Sequence, residues 1–146
     1  MSTARDQIIE STCQLLELQG YHATGLNQII KESGSPKGSL YYYFPGGKED
    51  LAIEALRRVG DQVLGRIRAN LAQAGASAAV IADFIRLIAI NVEASGFRAG
   101  GPITALAMET ASTHERLRQE CERIYGEWQS AFAERLVVGG MDESRA

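Results

Sequence analysis

Apolar positions recur three and four residues apart along almost the whole 146-residue chain, the period of helices with one buried face. Ile8, Ile9, Cys13, Leu15, Leu16 and Leu18 trace a first helix. Thr3-Ala4-Arg5-Asp6 fits a capping box at its start, and Gly20 is a natural residue to end it. Thr24 is placed to cap a short second helix carrying Leu26, Ile29 and Ile30, which Gly34 ends. Ser35 then caps a third helix with Pro36 at its first position, where a missing N–H costs nothing. That helix closes across residues 41–44, before Pro45-Gly46-Gly47. A long fourth helix over about 48–72 shows the stripe Leu51, Ala55, Val59, Val63, Ile67. The fifth, about 78–94, holds Val80, Ile81, Phe84, Ile85, Leu87, Ile88, Ile90 and Val92, so it is predicted to be buried on most sides. After the glycine-rich loop 96–102, a short sixth helix spans 103–110. Ser112-Thr113-His114-Glu115 reads as a second capping box, opening a seventh helix to about residue 136 with the stripe Leu117, Cys121, Ile124, Tyr125, Trp128, Phe132. No alternating run bounded by turn residues predicts a strand, so the fold class is all-α.

The second and third helices, joined by Gly34-Ser35-Pro36, have the spacing of a helix-turn-helix. In that motif the N-terminal residues of the second helix meet base edges in the major groove. Here those residues are Ser35, Pro36, Lys37, Gly38 and Ser39. Lys37 can reach guanine O6 or N7, and Ser39 can donate or accept. Gly38 brings bare backbone, at a cost of about 1 kcal/mol within a helix. Tyr41, Tyr42 and Tyr43 cover most of a helical turn, so at least one hydroxyl is free for phosphate or thymine methyl. Lys48 in the first turn of the fourth helix opposes the helix dipole unless an anion sits there, and a backbone phosphate is such an anion. Thr24 and the Gly25 amide offer the same at the second helix. A plain αα-hairpin in a bundle has similar spacing, with the tyrosines as packing and both lysines as solvated charges.

Charge does not favour nucleic acid in bulk: the net charge is −3 and the isoelectric point about 5.4. Residues 1–50 hold four cations and six acids, but residues 20–48 hold three lysines and one acid. DNA binding therefore rests on a focused patch doubled by dimerisation. No apolar signal core and no stretch of membrane-span length is found, which points to a cytoplasmic protein with no membrane partner. Cys13 and Cys121 read as small core residues, and two histidines complete no metal set, so neither metal nor cofactor is expected. Catalytic signatures are likewise missing; Gly46-Gly47-Lys48-Glu49 is not a P-loop, because Tyr42 stands where the first glycine belongs.

The stretch 20–51 resembles the TetR family of transcriptional repressors. Thr24, Gly34, Lys37-Gly38-Ser39-Leu40-Tyr41, Phe44, Lys48-Glu49 and Leu51 carry the likeness. Thr24-Gly25-Leu26-Asn27-Gln28-Ile29, Phe44-Pro45-Gly46-Gly47-Lys48-Glu49 and Gly101-Pro102-Ile103 running into Leu106-Ala107-Met108-Glu109-Thr110 are similar to its LmrA/YxaF branch. The resemblance implies a homodimer with a three-helix DNA-binding unit over 1–47 and a helical ligand-binding and dimerisation body over 48–146. It implies binding to a palindromic double-stranded operator and release by a small apolar or aromatic inducer, through a swing of the fourth helix. Two departures are noted. Tyr43 stands where the branch often has His, and the sequence ends at Ala146, before two further helices that build the family's dimer bundle.

A ligand pocket is expected among helices four to seven. Phe84, Ile88, Phe97, Met108, Tyr125 and Trp128 are the candidates, being large and on apolar stripes, although each equally suits ordinary core. Met adapts its shape and Trp stacks on flat ligands. Glu109 is either a buried polar anchor or a solvated or capping residue. Two other classes stay open: an enzyme, and a helical binding module whose DNA unit is vestigial. Steep salt dependence of duplex binding separates the repressor from both.

Overall fold

A computed structural model describes residues 3–96, 102–110, 112–142 and 145. Among the described residues seven helices follow in order: α1 (Ala4–Ala23), α2 (Leu26–Ser33), α3 (Lys37–Tyr43), α4 (Lys48–Leu71), α5 (Ser77–Ala94), α6 (Pro102–Thr110) and α7 (Glu115–Val138). Among the described residues there is no strand. The chain divides into two compact units, Met1–Val59 with Gly101–Cys121, and Gly60–Gly100 with Glu122–Ala146. The unit that holds the helix-turn-helix thus also takes in α6 and the start of α7.

The first unit is built on α1, which packs on α2, α3 and α6. Its capping box forms as expected, Thr3 accepting from the Asp6 N–H and Asp6 from the Thr3 N–H. Ile8, Ile9 and Leu15 of α1 meet Ile29 of α2, Leu40 of α3, Phe44 and Leu51 in one core. Each such side chain, fully buried, contributes roughly 1.5–3 kcal/mol. Charge pairs hold the rim. Arg57 donates twice to the buried Glu120, Arg5 pairs with Glu54, and Arg116 donates to both Glu49 and Asp50.

The helix ends differ from expectation in four places. Gly20 does not end α1 but breaks it, at φ 78° and ψ −179°, and helical turn resumes to Ala23. Gly25 rather than Thr24 is the N-cap of α2, and Pro36 rather than Ser35 that of α3. The expected second capping box does not open α7 at Ser112. The helix starts at Glu115, whose carboxylate is held well below the usual range, at about 2, by hydrogen bonds from Arg118 and then Gln119.

In the second unit Ile67 and Leu71 of α4, Val80 and Phe84 of α5, and Ala131 of α7 form the core, with Trp128 and Phe132 packed against it. Gly60 lets α4 and α7 approach: a Cβ there would lie 3.0 Å from the Ile124 side chain. Helix α5 departs from its predicted burial on most sides. Val80 and Phe84 are buried, while Ile85, Leu87, Ile88 and Ile90 are 43–61% exposed. The described part of this unit buries one stripe of α5 and leaves much of its other apolar surface exposed.

Candidate nucleic-acid interface

The helix-turn-helix is set by a few local choices. Gly34 ends α2 in the left-handed region at φ 62°, a conformation that side-chain-bearing residues adopt at a cost. Pro36 at φ −59° then redirects the chain into α3. Leu40 and Phe44, four residues apart and both buried, pin α3 to the core by one side. The opposite side is left outward. Pro36, Lys37, Gly38, Tyr41, Tyr42 and Tyr43 are exposed and Ser39 is half-buried. Tyr42, at 79%, is the most exposed of the three tyrosines and meets Tyr43 edge-on at 5.0 Å.

Gly38 is informative because nothing inside the protein asks for it. It lies within α3, and a Cβ added there would have no neighbour within 4 Å. The same holds for Gly25, which is exposed at the start of α2.

Two of the expected contacts sit elsewhere. Thr24 is 1% exposed and its hydroxyl donates to the Gly20 carbonyl at 2.7 Å. Ser35 is 6% exposed; its N–H donates to the Ser33 hydroxyl and its own hydroxyl to the Ser33 carbonyl. Both shape the turns that carry the outward residues.

Lys48 is half-buried at the start of α4, which follows Gly47 at φ 68°. Its ammonium lies 4.3 Å over the Tyr21 ring and donates to the His22 carbonyl at 3.4 Å. Burial pulls its pKa below the ordinary lysine value, and the charge of Glu109 works against that. The amides at this helix start are not all free: the Gly46 N–H donates to Asp50 at 2.7 Å. A carboxylate thus already complements the α4 dipole, and Lys48 supplies the positive charge beside it.

One residue of this cluster was legible only as an ambiguity. Glu109 of α6 accepts the Tyr21 N–H at 2.8 Å and the His22 N–H at 3.1 Å, so of the readings open to it, capping is the one realised. Gln19 and Gln28, which no sequence signal singled out, bond each other across α1 and α2 at 2.8 Å, and Gln19 also donates to the Ala23 carbonyl.

The expected ligand residues do not gather as one group. Phe84 is buried in the second unit's core and packs on Phe132 at 6.0 Å. Trp128 borders that core, donates to the Gly60 carbonyl at 3.2 Å and meets Tyr125 edge-on at 5.3 Å. Ile88 is 46% exposed, and Met108 lies in the first unit at 82% exposure. Phe97 lies outside the described residues.

Two short helices about a left-handed glycine, with one side buried and lysine, glycine and tyrosine on the other, define a helix-turn-helix DNA-binding regulator. Residues 8–55 match the profile of bacterial regulatory proteins of the tetR family, and residues 76–146 that of the LmrA/YxaF-like transcriptional regulator C-terminal domain. The chain is 43% identical over 143 residues to the HTH-type transcriptional regulator LmrA of Bacillus subtilis, covering 98% of this chain and 76% of that one. It is 42% identical over 143 residues to YxaF of the same organism, covering 98% and 75%. A crystal structure of the regulatory protein TetR from Rhodobacter sphaeroides superposes with a TM-score of 0.77 at 26% identity, covering 92% of this chain and 71% of that one. The chain belongs to the TetR family of transcriptional regulators.

Proposed function

We propose that this regulator is a ligand-responsive repressor that binds a palindromic operator as a homodimer and leaves it when a small apolar or aromatic inducer binds. The observation that carries the reading is the outward side of α3. A short helix anchored by Leu40 and Phe44 presents Lys37 and Gly38 in its first turn and three exposed tyrosines behind them. Lys37 reads a guanine edge, and the bare backbone at Gly38 allows close approach to the groove wall. The Tyr41, Tyr42 and Tyr43 hydroxyls and Lys48 bind phosphate, fixing register rather than sequence. Thr24 and Ser35 support this surface from beneath. In the body, the apolar residues Phe84, Ile88, Tyr125 and Trp128 of the second unit are those an inducer would use.

Base preference separates the two lysine roles. Lys37→Ala is expected to relax preference at one position of each half-site, at about 1–3 kcal/mol. Lys48→Ala is expected to weaken all duplexes alike and to lower the salt slope by about one per site. A Lys37→Ala protein with the parent's base profile would remove Lys37 from base reading.

A further inference from the structure

Helix α1 is broken at Gly20, in a backbone region that only glycine enters cheaply. A break of this kind leaves the next amides without the carbonyls of the preceding turn. Here the Tyr21 and His22 N–H groups both bond one carboxylate oxygen of Glu109, from a helix 87 and 88 residues further along the chain. The carboxylate fills the space a side chain at position 20 would need: a Cβ there would lie 2.0 Å from it. Helix α6 is held for this task by Ile103, Leu106 and Thr110, all at most 2% exposed.

What the short turn 21–23 carries gives the contact its meaning. The Tyr21 ring and the His22 carbonyl are the two groups that hold the Lys48 ammonium. The Gly20 carbonyl receives the Thr24 hydroxyl, and the Ala23 carbonyl the Gln19 amide, just before α2 begins. We infer that Glu109 is a positioning residue for DNA binding: by capping the broken end of α1 it sets Lys48 and the entry to α2, without touching DNA itself. This inference rests on the operator-binding reading above. The negative charge of Glu109 favours the Lys48 ammonium while opposing phosphate, and the effect is assigned to its acceptor geometry rather than to its sign.

Glu109→Gln and Glu109→Asp separate geometry from charge. Glutamine keeps the reach and one carbonyl oxygen, which can accept both N–H groups; aspartate keeps the charge but is one methylene shorter. The full chain is titrated against its selected operator at several salt concentrations, beside Lys48→Ala, with amide exchange at Tyr21 and His22 followed in parallel. The inference expects Glu109→Gln to bind within about threefold of the parent. It expects Glu109→Asp to lose about tenfold, the scale of a lost charge-assisted hydrogen bond. The aspartate variant should also show the reduced salt slope of Lys48→Ala, and fast exchange at both amides. Adding Lys48→Ala to Glu109→Asp should reduce the slope no further. Faster exchange in Glu109→Asp with operator affinity and slope at parent values would overturn the inference, leaving Glu109 a structural cap alone. An aspartate variant that binds as well as or better than the glutamine variant would overturn it too, because charge would then be the property used. Failure of the parent itself to bind any duplex would instead count against the operator-binding reading.

Discussion

At the scale of single residues, the glycines separate into those whose conformation the fold needs and those, Gly38 among them, that it does not. Gly20 and Gly34 hold positive φ values that a side chain would strain. Gly38 has helical neighbours on both sides and open space where a Cβ would go. Gly38→Ala is therefore expected to raise stability by about 0.5–1 kcal/mol, the helix penalty of glycine, and still to weaken operator binding. Denaturant unfolding and duplex titration of one preparation check both; stabilisation with undiminished affinity would remove Gly38 from the interface. The cysteines point the other way. Burial first, then the charge of Glu10, pushes the Cys13 thiol up to about 11, and burial also raises Cys121. Both are expected to resist alkylation in the folded protein at neutral pH and to react on denaturation. For Cys13 the stability contribution is fully present below the unfolded value near 9 and is lost as pH rises through about 11. Rapid native labelling of either thiol at pH 7 would contradict the expected resistance to alkylation. The outward residues of α3 were legible in the sequence, because turn chemistry and the Leu40–Phe44 spacing fix which way a short helix faces. The inward turns of Thr24 and Ser35 were not, since a hydroxyl beside a helix start serves a phosphate or its own backbone equally well.

At the scale of helices, the seven segments and their order follow from periodicity and punctuation, and the boundaries shift where a tertiary partner intervenes. Glu109 lets α1 continue past a broken residue, which no local rule could anticipate. Helix α5 shows the opposite limit: its composition asks for burial all round, yet burial depends on what packs against it, and α4 and α7 occupy one side. Helix α7 bears the test of the body's two roles. Trp128 packs on the core and donates to the Gly60 carbonyl. Trp128→Ala is expected to cost about 3 kcal/mol through lost packing. Trp128→Phe keeps most of the ring, loses one hydrogen bond worth about 1 kcal/mol, and should leave operator affinity intact while shifting the inducer response. An unchanged inducer response in a folded Trp128→Phe protein would make Trp128 core alone.

For the whole molecule, the acidic balance and the DNA-binding reading are reconciled by how few cations the surface uses. The net charge is −3, and residues 20–48 supply three lysines. Binding by a dimer would engage at most those three on each subunit, so the salt slope is expected to be no steeper than about −5 in log–log terms. Tyrosine hydroxyls and backbone amides contribute hydrogen bonds without releasing counterions, and affinity beyond that slope comes from them. The measurement that tests the central claim most directly is selection of bound duplexes from a random library, followed by titration of the recovered sequence across salt concentrations. An inverted repeat is expected, with half-sites about one helical turn or a multiple of it apart, and a measurable negative slope no steeper than about −5. Recovery of no preferred sequence by the folded protein, or binding indifferent to salt, would contradict it.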